Sequence, residues 1–387
     1  MNGLRARIDY ILKHNTFVNK TFKLLASAFF KFVGVFVPID KNAILFSSLS
    51  RKYNDSSREI YEYLLAHDEY SGYKFYWTLE KGDKTEIPGN CIKVIPDTFS
   101  YFITALRCKY LVTSVNIERG LKFKKRKNVY LNTWHGIPIK TVGNEAAGRK
   151  DYDFSYIDYF CISGDYEVGV YERSFNVRES QLLKCGMPRN DTLYNLDEAE
   201  IRKLKSKVGL PLDKKIILYA PTWRDSKNGG KSYAIKPPMD LVKWESVLRD
   251  EYVLLFRTHP YTNELLGVDF NDFVIDCTNY PNVNDLMKVA DILISDYSAT
   301  IFDYSILERP IICFAYDLEE YSKERGFAMD IQAEVPGGIA ATEDEVIARI
   351  LNCNYEAEGE AVRDFKNKYI KYGGEATKKC VEALLGK

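Results

Sequence analysis

The stretch Asn128-Val129-Tyr130-Leu131-Asn132-Thr133-Trp134-His135-Gly136 passes from an alternating apolar run into a polar, glycine-bearing turn. Val, Tyr and Leu in a short run read as a buried strand, and Trp-His-Gly reads as the point where that strand ends. The same grammar recurs on both sides. Upstream, Ala43–Phe46, Tyr73–Thr78, Cys91–Ile95 and Tyr110–Ser114 read as strands, with helices over Arg58–Ala66 and 99–108. Downstream, Tyr159–Ser163 and Leu182–Cys185 are strands, the latter entering Gly186-Met187-Pro188-Arg189-Asn190-Asp191. A charged helical stretch, Glu198–Val208, follows, and then the pattern restarts. Ile216–Ala220, Tyr252–Phe256, Phe273–Asp276, Ile292–Ile294 and Ile311–Phe314 are strands, and Asn284–Val289 is helical. Short apolar strands alternating with helices predict parallel sheets covered on both faces. The fold class expected is α/β: two doubly wound parallel-sheet domains facing across a cleft, at 39–205 and 206–387, behind an N-terminal segment 1–38.

Composition sets limits on function. The 387 residues carry 54 basic and 54 acidic side chains, so no global field favours nucleic acid as a partner. Apolar residues at 46% and charged residues at 28% describe an ordinary folded chain, and no solenoid repeat or low-complexity segment is present. The eight cysteines show no CxxC spacing and no zinc-like Cys/His pattern, so they read as buried thiols in a reducing compartment.

Residues 1–36 place Arg5, Arg7, Lys13, Lys20, Lys23 and Lys31 against a single acid, Asp9, interleaved with Phe17, Phe22, Leu24, Leu25, Phe29, Phe30, Phe32 and Phe36. The uncharged run Leu24–Phe30 is far short of the about 20 residues a bilayer span needs, and no small-residue cleavage site follows it. A basic segment rich in Phe and Leu suits a helix lying on an anionic membrane surface, or one packed on the protein's own core with lysines outward. A second basic cluster, Lys122, Lys124, Lys125, Arg126 and Lys127, either adds to that face or forms a solvated loop.

In open parallel sheets, ligands bind beyond the carboxyl ends of strands. The polar clusters fall there: Trp134-His135-Gly136, Gly186–Asp191, Pro221-Thr222-Trp223-Arg224-Asp225, Arg257-Thr258-His259-Pro260 and Ser295–Asp303. Of four histidines, His135 and His259 sit at strand ends, one in each half, where an imidazole can move a proton near neutral pH. Ser298 or Thr300 reads as the cap of a helix whose free amides suit a phosphate, with Arg224 and Arg257 as charge-assisted donors to a diphosphate. Arg189 and Asn190 occupy a tight turn at the cleft. No Walker loop or dinucleotide fingerprint occurs. Asp296 and Asp303 are too weak a pair to predict a metal, and Asp296 reads as a residue that orients a neighbour.

Taken together, these clusters resemble the CDP-glycerol glycerophosphotransferase family, the teichoic acid primases and polymerases. The resemblance rests on Asn132–Lys140, Gly186–Asp191, Tyr219–Asp225, Arg257–Pro260, Ile294–Tyr304 and the tail Arg309-Pro310-Ile311 to Tyr321 with Arg325-Gly326-Phe327. It covers about residues 40 to 375. Ile137 stands where Thr is common, and Ala299-Thr300 replaces a Ser-Ser or Ser-Val pair. The resemblance implies a GT-B fold and a peripheral enzyme on the cytoplasmic face of a bacterial membrane. It implies transfer of a polyol phosphate from a CDP-polyol donor to a lipid-linked glycan acceptor, releasing CMP, with no further cofactor and no metal. Carried over by position, His135 is the general base and His259 binds the donor phosphates. Gly136, Ile137, Pro138, Ile139, Arg189, Asn190, Thr222, Trp223, Arg224, Arg257, Thr258, Asp296, Ser298, Ala299, Thr300 and Asp303 line the donor site. The length is closer to that of a primase or capsule-type transferase than to that of the long polymerases. Two other readings fit the same cleft: a GT-B glycosyltransferase using a nucleotide sugar, and a non-catalytic membrane-bound polymer-binding protein, which leaves both strand-end histidines without a role.

Overall fold

The computed structural model describes residues 15–146, 152–222, 224, 234–235, 238–258, 264–265 and 268–386. The first half builds a seven-stranded sheet from β1 (Asp40–Ser47), β2 (Lys74–Thr78), β3 (Cys91–Val94), β4 (Cys108–Thr113), β5 (Val129–Asn132), β6 (Tyr159–Ile162) and β7 (Leu182–Lys184). Its order is β3-β2-β1-β4-β5-β6-β7, parallel throughout. In the second half, β8 (Lys215–Tyr219) is followed by β9 (Ala234–Ile235), β10 (Tyr252–Phe256), β11 (Glu264–Leu265), β12 (Val274–Asp276), β13 (Ile292–Ser295), β14 (Ile311–Phe314) and β15 (Ile339–Ala340). Six of these form a parallel sheet ordered β12-β10-β8-β13-β14-β15, and β9 pairs with β11 alone.

The expected strands sit within three residues of the observed ones because each is a short apolar run. Ile216–Tyr219 and all of β10, β13 and β14 are buried. A strand covered on both faces cannot alternate, so it reads as a continuous apolar block. The helix Glu198–Val208 between the halves starts where Asp197 accepts from the Ala199 amide and stops at Gly209, which holds φ 81°. That left-handed cap is inexpensive only for glycine.

Chain order and spatial order part at the C-terminus. The helix Ala376–Leu385, expected to travel with the second half, packs on the first sheet. Ala376, Cys380, Val381 and Leu384 share a core with Ile44, Phe46 and Trp77. The crossing runs past Ser163, whose carbonyl accepts from the amides of Lys371 (2.7 Å) and Tyr372 (2.9 Å). Asp191 then caps the helix through the Ala376 (2.9 Å) and Thr377 (2.7 Å) amides. Helical period alone gives the helix but not the sheet it returns to.

The N-terminal helix Thr16–Phe36 begins at Asn15, whose Oδ1 accepts from the Val18 amide at 3.1 Å. Phe30 and Ser27 face the first domain, and Phe30 stacks near Phe102 with centroids 4.4 Å apart. No described helix is long and apolar enough to cross a membrane.

Candidate active site

The carboxyl ends of both sheets meet at the turn after β5. Trp134 holds φ 52° and Gly136 φ 147°, so the chain reverses through two conformations that L side chains rarely adopt. Asn132 Oδ1 accepts from the Trp134 amide at 2.8 Å and fixes the turn. His135 follows, half-buried, with its ring 4.1 Å from the Trp134 ring. Its Nδ1 lies 2.8 Å from the Ser114 carbonyl at the end of β4. A carbonyl only accepts, so Nδ1 carries the hydrogen and Nε2 keeps its lone pair. Burial pushes the imidazole below its ordinary pKa, opposed by the Ser114 bond and the Asp55 charge. The ring is therefore a neutral base in the physiological range.

Gly136 is forced by contact. A Cβ there would meet the Ala299 Cβ of the other half at 2.6 Å, and Arg189 Nη2 lies 3.6 Å away. Beyond it the chain docks across the cleft. Ile137 and Ile139 are buried in the second half's core, and Ile139 O accepts from the Ala328 amide at 2.8 Å. Expected to line a donor site, these two side chains are core residues instead, because apolar groups next to an apolar neighbour pack rather than face a charged ligand. Two tyrosines hold the turn from behind: Tyr166 OH donates to Pro138 O at 2.8 Å, and Tyr171 OH lies 3.4 Å from Gly136 O and 2.7 Å from Glu167 Oε1. Neither tyrosine was singled out in the sequence.

Arg189, Asn190 and Asp303 come together, but with one another. Arg189 Nη2 contacts Asp303 Oδ2 at 2.7 Å, and Nη1 contacts Asp55 Oδ1 at 3.1 Å. Asn190 Nδ2 donates to Asp303 Oδ1 at 2.6 Å, and Asn284 Nδ2 to Arg189 O at 2.5 Å. The two carboxylates raise the guanidinium pKa despite burial. The group is a clasp between the halves. Asp55, with φ 58° at the start of the helix Asp55–Ala66, was not visible as a partner because its sequence neighbours carry no motif.

In the second half, Arg224 is also engaged. It forks onto Asp317 (Nε 2.8 Å, Nη2 2.9 Å), contacts Asp296 Oδ2 at 2.9 Å and donates to Thr222 O at 2.8 Å. Asp296 in turn accepts from the Thr222 and Tyr297 amides, each at 2.7 Å. Arg257 differs. Its Nη1 donates to the carbonyls of Cys277 (3.0 Å) and Tyr280 (2.7 Å), and it has no carboxylate partner among the described residues. Burial lowers its pKa. An uncompensated guanidinium at the end of β10 is the cation best placed to receive an anion. Thr258 is buried beside Thr278, with their hydroxyls 3.2 Å apart. Ser298 Oγ accepts from the Thr300 amide at 3.2 Å and donates to Thr300 Oγ1 at 2.9 Å; the expected side-chain cap is not formed, because the N-cap position of the short helix Thr300–Ser305 falls on Ala299. Thr222 Oγ1 is buried with no hydrogen-bond partner among the described residues. His259 and Trp223 lie outside the described residues.

The fold also gathers what spacing hid. Cys161, Cys185 and Cys380 come from β6, the turn after β7 and the C-terminal helix, with their sulfurs within 4.8 Å of one another. All three are fully buried in an apolar core, and Cys185 Sγ donates to Gly186 O at 3.2 Å. Among the described residues this is the one group of three such side chains with metal-like proximity. Asp296 and Asp303, the pair weighed as cation ligands, are both occupied by arginines.

Residues 29–386 match the family model of CDP-Glycerol:Poly(glycerophosphate) glycerophosphotransferase. The chain is 31% identical over 363 residues to the teichoic acid glycerol-phosphate transferase of Staphylococcus aureus, covering 89% of each. It is 33% identical over 320 residues to the teichoic acid poly(glycerol phosphate) polymerase of Staphylococcus epidermidis, covering 78% of this chain and only 44% of that one. The solved wall teichoic acid polymerase TagF superposes with a TM-score of 0.81 at 29% identity, over 98% of this chain and 97% of that chain. Strand-end histidine, interdomain clasp and parallel two-sheet architecture thus lie within a match that runs over most of the sequence, and the chain belongs to the CDP-glycerol:poly(glycerophosphate) glycerophosphotransferase family, phosphotransferases of teichoic acid synthesis.

Proposed function

We propose that this chain transfers glycerol phosphate from CDP-glycerol to a hydroxyl of a lipid-linked glycan acceptor, releasing CMP, while bound peripherally to the cytoplasmic face of the membrane. The observation that carries the reading is His135: neutral, tautomer-fixed by Ser114 O, and held on a turn that touches Ala299 of the other half. In this reading Nε2 accepts the acceptor's hydroxyl proton as that oxygen attacks the glycerol-bearing phosphorus. A new P–O bond forms in line as the bridging P–O bond to CMP breaks. Arg257 neutralises the departing phosphate charge, and the Ser298–Thr300 turn, whose Ala299 faces Gly136, forms the wall opposite the His135 turn. His259 is assigned to the same phosphates by the family resemblance alone. Closure of the two halves excludes water, which would otherwise hydrolyse the donor.

The membrane part of the reading is supported by the helix Thr16–Phe36, which buries Phe30 inward yet leaves Leu24, Leu25, Phe29, Phe32 and Phe36 exposed. Lys20 and Lys31 stand exposed among them, and the helix contains no acid. The two expectations for this segment are compatible: one stripe packs on the domain and a broader face is left uncovered.

The test is CMP release by the purified chain from CDP-glycerol with a lipid-linked acceptor. His135→Ala is expected to lower the rate by on the order of a thousandfold or more, the upper part of what a positioned base contributes. Turnover of nucleotide sugars in place of CDP-glycerol, or an unchanged rate in His135→Ala, overturns the assignment.

A further inference from the structure

The uncovered apolar surface does not end with the N-terminal helix. Ile95 and Phe99, in the loop and first turn between β3 and the helix Phe99–Arg107, are 44% and 59% exposed. The Phe99 ring lies 6.5 Å from the Phe29 ring and 6.2 Å from Phe30, and Phe30 is itself anchored on Phe102. The N-terminal helix is tied to the body at more than one place. Ser27 Oγ accepts from the Lys122 amide at 2.9 Å, and Lys125 Nζ donates to Val37 O. A helix bound this way moves with the domain rather than swinging free.

The geometry points to a composite membrane-docking face, in which Ile95 and Phe99 enter an anionic bilayer surface together with the outer side of the helix Thr16–Phe36. This rests on the peripheral-membrane reading above and adds that a folded part of the catalytic domain makes the contact. Exposed apolar side chains gathered on one face mark an interaction site. Its charge selects the partner: Lys20, Lys31, Arg126 and Lys127 are exposed around it and have no carboxylate partner among the described residues, which suits acidic headgroups. Two contact elements held rigidly also fix the orientation of the domain on the membrane, and with it the height of the cleft above the lipid-linked acceptor.

The experiment places a tryptophan reporter at each element, Phe32→Trp and Phe99→Trp, in the full chain. Each is mixed with vesicles of phosphatidylglycerol and phosphatidylcholine carrying brominated acyl chains. Both reporters are expected to shift to shorter wavelength and to be quenched, while Val242→Trp, exposed on the second half, is expected to show neither. Ile95→Glu with Phe99→Glu is expected to weaken vesicle partitioning at least tenfold, with the thermal midpoint and CMP release in detergent unchanged. Quenching at position 32 but not 99 overturns the composite face and leaves the peripheral reading standing. Quenching at neither overturns both. Self-association in sedimentation, abolished by Phe99→Glu and without vesicle binding, assigns the face to a second copy of the chain and overturns the proposal.

Discussion

Arg189 Nη2 sits 2.7 Å from Asp303 Oδ2, and the two residues belong to opposite halves of the molecule. The second arm of the same guanidinium reaches Asp55, and the side chains of both acids are nearly inaccessible, at 6% and 7%. Removing one member of a buried ion pair leaves a charge with neither water nor partner. Arg189→Ala is therefore expected to cost about 3–5 kcal/mol in denaturant unfolding. Arg189→Lys is expected to keep one contact and lose the fork. A loss below about 1 kcal/mol in the alanine variant, the range of exposed pairs, would show that the clasp does not hold the halves together.

Gly136 and Ala299 define how closely those halves approach. Adding a methyl at Gly136 brings two carbons to 2.6 Å and also requires a side chain at φ 147°. Gly136→Ala is expected to displace His135 from the opposite wall and to lower CMP release by about a hundredfold, the scale of an ångström's misplacement. The double variant Gly136→Ala with Ala299→Gly removes the clash but not the backbone strain, so it is expected to recover part of the rate. Equal rates in the single and double variants would mean that strain alone, not contact, is responsible.

Much of this was legible beforehand because parallel strands buried on both faces announce themselves as apolar blocks, and ligands collect at their carboxyl ends. Ile292–Ser295 and the helix start just after it follow from those rules directly, although the cap falls on Ala299 and not on Ser298 or Thr300. Partnerships were not legible. Arg189, Arg224 and Arg257 look alike in sequence, yet carboxylates occupy the first two and only carbonyls the third. Asp55 and Asp317 complete those sites from more than ninety residues away. The return of Ala376–Leu385 to the first sheet, and the meeting of Cys161, Cys185 and Cys380, are likewise long-range and carry no local pattern.

The lowered pKa of His135 has a kinetic consequence. The base must be neutral to act, so activity falls as pH drops through its folded-state value. Burial depresses that value, and the acid limb of kcat/KM is expected below about 6.5, the ordinary histidine value. The same shift means that protonation opposes folding, so the histidine's contribution to stability is lost as pH falls below about 6.5. An acid limb at or above that value would indicate that another group controls the rate.

The three clustered thiols are expected to be neutral core residues. Three thiolates and a divalent ion would leave net charge in a fully buried apolar site, at a large desolvation cost. Incubation with a strong chelator is expected to leave the thermal midpoint unchanged, and Cys380→Ala to lower stability by about 1–2 kcal/mol through lost packing. Stoichiometric zinc in the purified chain, with a midpoint that drops on chelation, would reverse this assignment.

Glu167 links the fold's pH response to the active-site turn. Its carboxylate is fully buried, accepting from the Gly164 amide at 3.0 Å and from Tyr171 OH at 2.7 Å, and also from the Ser163 amide. Burial outweighs those bonds and pushes the pKa up to about 7. A carboxyl raised in the folded state contributes stability that is complete below its ordinary value of about 4.5 and is lost as pH rises through about 7. Between about pH 5.5 and 8.5 the protein is expected to lose about 2 kcal/mol on this account, at 1.36 kcal/mol per unit. Glu167→Gln keeps the shape and an accepting oxygen for the Ser163–Gly164 amides but cannot ionise. Its thermal midpoint is expected to approach or exceed that of the parent above pH 7, and the gap between the two proteins to change by the same amount across the range. Parallel curves at all pH values would show that the carboxyl does not titrate there, and that the support it gives Tyr171 behind Gly136 is independent of pH.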